Sequence, residues 1–114
     1  MGDYAAARPY LERALAIRET VLGAEHPDTA TSLNNLGYLY SVMGDYQRAA
    51  PLWEQSLKVF RKVKGEQHPQ TATILNNLAV LRESMGRYGE AEPLHQQALD
   101  IYRQAYGEQH QAFA

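Results

Sequence analysis

Histidine is the residue in this chain best suited to metal binding or proton transfer. Three of its four histidines, His26, His68 and His110, stand 42 residues apart. A metal needs its ligands to converge within a few ångströms, whereas equivalent positions of stacked helical units lie roughly 10 Å apart. The recurring histidines therefore read as residues that cap or pack the start of a helix, and His95 stands outside the series. The carboxylates Glu12/Glu19 and Glu90/Glu92 fall on exposed helix faces without the pairing that acid–base catalysis needs. The stretch "GRYGEAE" (86–92) holds glycines, but it lacks the lysine and the preceding strand of a phosphate loop. Arg61, Lys62 and Lys64 complement a helix C-terminus, and no basic or aromatic stripe extends them toward nucleic acid. The absence of cysteine excludes disulfides and cysteine-ligated zinc. We thus expect no catalytic residue, no cofactor and no metal, and a protein that is not an enzyme.

What remains is uncharged polar chemistry. Two asparagine pairs, Asn34-Asn35 and Asn76-Asn77, interrupt apolar stretches. An asparagine side chain offers one acceptor and two donors. At about 100° per residue, neighbours in a helix cannot share a face. Leu33, Leu36, Gly37 and Tyr40 form one face of the first stretch. Thr31, Asn34, Tyr38 and Ser41 form the next, and Asn35 lies further round. The second stretch gives Thr73, Asn76, Val80 and Glu83 as the matching row, with Asn77 beside it.

The elements that position these rows follow from an internal repeat. Offset by 42, about 20 of the 42 positions in 2–43 are identical in 44–85, the signature of a solenoid. Gly44, Gly65 and Gly86 punctuate the pattern, and the polar "GEQHP" linker supplies turn residues. Pro27 and Pro69 suit a first helical position. Three-and-four apolar spacing predicts a long helix over about 3–22, then helices over 28–43, 45–64, 70–85 and 87–106. Pro51 and Pro93 then fall early in the second helix of each pair, where little hydrogen bonding is at stake.

Leu36-Gly37, Tyr40, Gly44-Asp45-Tyr46, Ala49 and Ser56-Leu57 together resemble the tetratricopeptide repeat (TPR). The 42-residue period, with "HP.TAT.LNNL" and "EAEPL..QAL.IY", resembles its kinesin-light-chain-like branch. The resemblance implies an all-α solenoid, a right-handed superhelix of antiparallel A and B helices. About five helices are expected, starting with a B helix: a partial repeat at 2–23, repeats at 24–65 and 66–107, and a stub of a further A helix at 108–114, all in one array. It also implies that A helices line a concave groove that binds a peptide or partner protein. On that basis Thr31, Asn34, Tyr38, Ser41, Thr73, Asn76, Val80 and Glu83 are the groove positions. Asn35 and Asn77 are instead expected to stitch one repeat to the next. TPRs that clamp a terminal carboxylate use basic residues there, and none occurs at Asn34, Tyr38, Asn76 or Val80. Arg82 departs from the pattern, standing where Tyr40 stands in the previous unit, and its guanidinium must reach a carboxylate or solvent.

The array begins and ends out of phase with its own repeat. Leu11, Leu15 and Leu22 at one end, and Tyr102, Tyr106 and Phe113 at the other, are therefore expected to be sticky. An alternative function follows: a self-associating module, stacked head to tail or exchanging a helix, from an excised or engineered piece. The net charge of −2 carries no broad field for nucleic acid. No apolar run approaches the roughly 20 residues of a membrane span. "MGDYAA" lacks the Ser or Thr of a myristoylation site, and the N-terminus lacks a signal-peptide layout. A cytoplasmic setting without membrane or nucleic-acid partners is the expectation.

Overall fold

The computed structural model describes residues 3–107, which form five α-helices and no strand: α1 (Tyr4–Leu22), α2 (Pro27–Val42), α3 (Tyr46–Val63), α4 (Pro69–Ser84) and α5 (Tyr88–Tyr106). Each bound lies within one or two residues of the sequence expectation. The 108–114 stub, with His110 and Phe113, lies outside the described residues, as does Gly2. The chain falls into two compact units, residues 1–59 and 60–114, with the division inside α3.

In unit 1, Asp3 caps α1 by accepting from the Ala6 N–H at 3.1 Å. His26 caps α2: its Nδ1 accepts from the Asp28 N–H at 3.0 Å, and Pro27 follows at the first helical position. These contacts satisfy donors that a helix start otherwise leaves open. Thr29, fully buried, donates its hydroxyl to the Gly23 carbonyl at 2.7 Å and ties the linker to the helix. α2 ends in a Schellman arrangement. The Asp45 N–H donates to the Tyr40 carbonyl at 2.8 Å and the Gly44 N–H to Ser41 at 3.0 Å. Gly44 has φ +82°, which an L side chain rarely adopts. This reversal lays α3 antiparallel on α2, and Ser56, wholly buried, donates to the Ala30 carbonyl at 2.9 Å. α1 is held to α2 from the other end: Arg18 donates to the Asp28 carbonyl and to Ser32 Oγ, at 3.0 and 2.9 Å.

Unit 2 repeats the device. His68 Nδ1 accepts from the Gln70 N–H at 3.1 Å, and Thr71 donates to the Gly65 carbonyl at 2.8 Å. The Arg87 N–H meets the Arg82 carbonyl at 2.7 Å, and α5 turns back onto α4. The recurring histidines His26 and His68 are thus helix caps.

Two expectations change. Pro9, Pro51 and Pro93 lie at the sixth helical residue, not within the first turn. Each therefore removes a backbone donor that an uninterrupted helix would use, to the carbonyls of Ala5, Gln47 and Gly89. The helices nonetheless run through. Second, α1 buries no residue fully. Leu11 and Leu15 are half-buried, and Leu22 is exposed. The bare apolar surface of α1 is carried instead by Tyr10, Ile17 and Val21, at 77, 52 and 72% exposure. Ile17 is the repeat counterpart of Val59 and Ile101, which are buried.

The core matches the repeat reading. Leu33, Leu36, Tyr40, Ala49 and Leu57 are buried in unit 1, and Leu75, Leu78, Ala79 and Ala91 in unit 2, while Leu99 is half-buried. Tyr40 donates its hydroxyl to Glu12 Oε2 at 2.9 Å, and the Arg48 guanidinium lies 5.8 Å from its ring centre. Burial first, then the Glu12 hydrogen bond, pushes its pKa above the ordinary 10.0. Between that value and the raised one, the native state keeps a proton the unfolded chain has lost, so this contribution to stability falls as pH rises above about 10. Tyr40→Phe should cost about 1 kcal/mol at pH 7. Between pH 7 and 10.5 the variant should then lose less stability than the parent, as urea unfolding at the two pH values would show.

Candidate peptide-binding surface

The α2 row sits beside α3 in unit 1. Thr31 is half-buried and returns its hydroxyl to the Pro27 carbonyl at 3.1 Å. Asn34 is half-buried, and its backbone carbonyl accepts from Trp53 Nε1 at 3.1 Å. Tyr38 is 61% exposed, Ser41 is half-buried and Asn35 is exposed. Trp53 itself is almost completely buried and packs against Gly37. A Cβ at Gly37 would stand 2.8 Å from Trp53 Nε1 and 2.9 Å from Cδ1. Glycine is required here by the tryptophan's approach, not by its backbone angle.

The α4 row differs because its neighbour differs. Residue 79 is alanine and residue 95 is histidine, where unit 1 has Gly37 and Trp53. The smaller ring leaves space for the methyl group and turns to the polar row. His95 Nδ1 lies 3.0 Å from Asn76 Oδ1, and its Nε2 lies 3.3 Å from Glu83 Oε2. Thr73 shares a hydrogen bond with the Tyr102 hydroxyl at 3.0 Å. Asn76, Glu83 and Val80 are exposed, and Asn77 is half-buried. Arg82 is partly buried and places Nε 3.5 Å from Glu90 Oε1, so the departure from the aromatic pattern is met by a carboxylate.

Three contributors to these rows were therefore outside the sequence expectation: Trp53, His95 and Tyr102, all on the second helix of a pair. Tyr102, expected at a sticky end, is half-buried, stacked with Tyr106 at 6.1 Å and bonded to Thr73. Tyr106 is exposed. The paired exchange of Gly37/Trp53 for Ala79/His95 is visible in the self-alignment and is the signal that could have flagged them. A concavity in unit 1, about 310 Å³, opens between Leu36 and Tyr40 of α2 and Pro51 and Leu52 of α3. Among the described residues, no three His, Cys, Asp or Glu side chains are grouped to hold a metal ion, and no helix is long and apolar enough to cross a membrane.

Paired antiparallel helices, glycine-turned and stitched by threonine and histidine caps, define an all-α helical-repeat scaffold. The sequence model described as tetratricopeptide repeat matches residues 1–52 and 35–104, and the chain belongs to that family. No curated protein matches it. Among solved structures, it is similar to BtubC (BKLC) from P. vanneervenii, with a TM-score of 0.86 and 29% identity over 94% of this chain and 42% of that one. It is also similar to a protein assigned as a kinesin light chain from Podosopora anserina, with nearly identical TPR-like repeats. That match has a TM-score of 0.86 and 28% identity over 98% of this chain and 53% of that one. The chain thus spans about half the length of these proteins. The kinesin-light-chain-like character expected of the 42-residue repeat is shared with them, and the family is a non-catalytic repeat scaffold.

Proposed function

We propose that the chain binds an extended segment of a partner protein through the polar rows of α2 and α4. One observation carries this reading: the same row recurs on both A helices, beside buried leucines, and keeps exposed groups in each. Tyr38 offers an exposed aromatic surface on α2, and Asn76 an exposed amide on α4. An amide suits a peptide backbone, whose N–H and C=O groups need partners whatever the sequence. Asn35 and Asn77 serve as seam residues in this reading. The setting is cytoplasmic, with neither membrane nor nucleic acid as partner.

The test is to select peptides from a random display library with the parent protein and measure their affinity for an Asn34→Ala, Asn76→Ala double variant. Two lost hydrogen bonds of roughly 0.5–1.5 kcal/mol each predict about 5- to 150-fold weaker binding. Circular dichroism should be unchanged. Equal affinity for both proteins would overturn the reading.

The exposed Tyr10, Ile17 and Val21 of α1 favour a second reading, self-association through that helix. Ile17→Glu should then abolish concentration-dependent sedimentation and leave peptide binding intact. Leu11 and Leu15 are poorer probes, because their half-burial gives them a structural role as well.

A further inference from the structure

We propose that His95 sets which hydrogen-bonding edge Asn76 turns toward a partner, so that one proton converts this position on α4 from accepting to donating. The device lies wholly within unit 2; only its use rests on the reading of the α4 row as a binding surface.

Both ring nitrogens of His95 face oxygens, Asn76 Oδ1 at 3.0 Å and Glu83 Oε2 at 3.3 Å. Only the imidazolium donates through both nitrogens at once. In that state Asn76 spends its oxygen on the ring and its NH2 group, with two donors, is left for a partner. Loss of a proton to solvent leaves one N–H. The Glu83 carboxylate can only accept, so it keeps that hydrogen on Nε2 and leaves Nδ1 as a lone pair. A lone pair facing Oδ1 is repulsive. The terminal torsion of asparagine is broad and nearly two-fold, so the amide turns over and donates through Nδ2 to Nδ1. Asn76 Oδ1 then faces outward and accepts.

A partner carbonyl opposite Asn76 is therefore favoured while the ring is protonated, and a partner N–H while it is neutral. The other charged groups nearby are engaged, apart from Glu92. On α4, Arg82 is turned to Glu90. On α5, Asp100 accepts from Gln96 at 3.0 Å, and Glu92 lies one turn before His95, exposed. Unit 1 has no such device, because Trp53 occupies the equivalent position and donates at every pH to a backbone carbonyl.

Nuclear magnetic resonance of the protein alone, without any ligand, tests this. Nitrogen shifts of the His95 ring should show protonation at both nitrogens in acid and at Nε2 alone above the titration. Cross-peaks between the Asn76 amide protons and the His95 Cε1–H should be strong above it and weak below it. In His95→Gln the Asn76 amide signals should hold constant over the same pH series. Cross-peaks that do not change across the titration would overturn the proposal, as would a neutral ring protonated at Nδ1. Neither outcome bears on whether peptides bind, so the two readings fail separately.

Discussion

Replacing Trp53 with alanine is expected to destabilise unit 1 by about 3–5 kcal/mol, the range for deleting a buried tryptophan. The ring is 3% exposed and covers Gly37. Its loss leaves a void that the helix backbone, with no side chain at Gly37, cannot fill. It also removes the indole N–H from the Asn34 carbonyl, whose helical bond persists, so cavity formation dominates over the hydrogen bond. The equivalent change in unit 2, His95→Ala, removes a half-buried side chain and should cost about 1 kcal/mol. Urea unfolding followed by far-ultraviolet circular dichroism separates the two. Equal losses would show that the paired positions do not differ as their packing implies.

Gly37→Ala should reverse sign according to its neighbour. In an exposed helix the change stabilises by about 1 kcal/mol. Here the new methyl would stand 2.8 Å from a ring atom of Trp53, and a buried indole cannot swing aside. Overpacking of this kind costs about 1–3 kcal/mol, and displacing the ring also lengthens its bond to Asn34. The clash should therefore win, with a net loss of up to about 2 kcal/mol and a red-shifted emission from the sole tryptophan. On a Trp53→His background the same Gly37→Ala change recreates the Ala79/His95 pair, and only the helix-propensity gain remains. A double-mutant cycle should return a coupling of at least about 1 kcal/mol. Additive effects would refute the packing argument.

The helices and their caps were legible in the sequence because they are written locally. Gly44 and Gly86 end helices, and His-Pro begins them, within a few residues of the structure they cause. Arg82 was legible as an exception because its counterpart is an aromatic. Local patterns were less sufficient elsewhere. The apolar residues of α1 do not say which of them a neighbour covers, so Leu11 was expected to be bare and Ile17 is. Pro51 looked harmless because it was grouped with the first turn, whose N–H groups have no helical partner, whereas the sixth helical residue lies past that turn. The asparagine rows were placed by periodicity, but what touches them comes from another helix. Trp53 reaches a backbone carbonyl, which no side-chain pattern marks. His95 meets Asn76 because a histidine, matched to Ala79, stands where the first unit pairs Trp53 with Gly37.

That last dependence bears on how such a chain can be copied and spliced. Residues 37 and 53 are on opposite sides of the Gly44 turn, and residues 79 and 95 on opposite sides of Gly86. A recombination breakpoint at one of these turns would join the first helix of one unit to the second helix of the other. One product would press a methyl group into a tryptophan, and its reciprocal would leave glycine beneath a histidine that cannot fill the space. A breakpoint at Gly23, Gly65 or Gly107 moves each pair whole. The heritable module of this protein is thus the helix pair cut at its histidine-capped linkers, and length can change by 42 residues without either unit losing its complement.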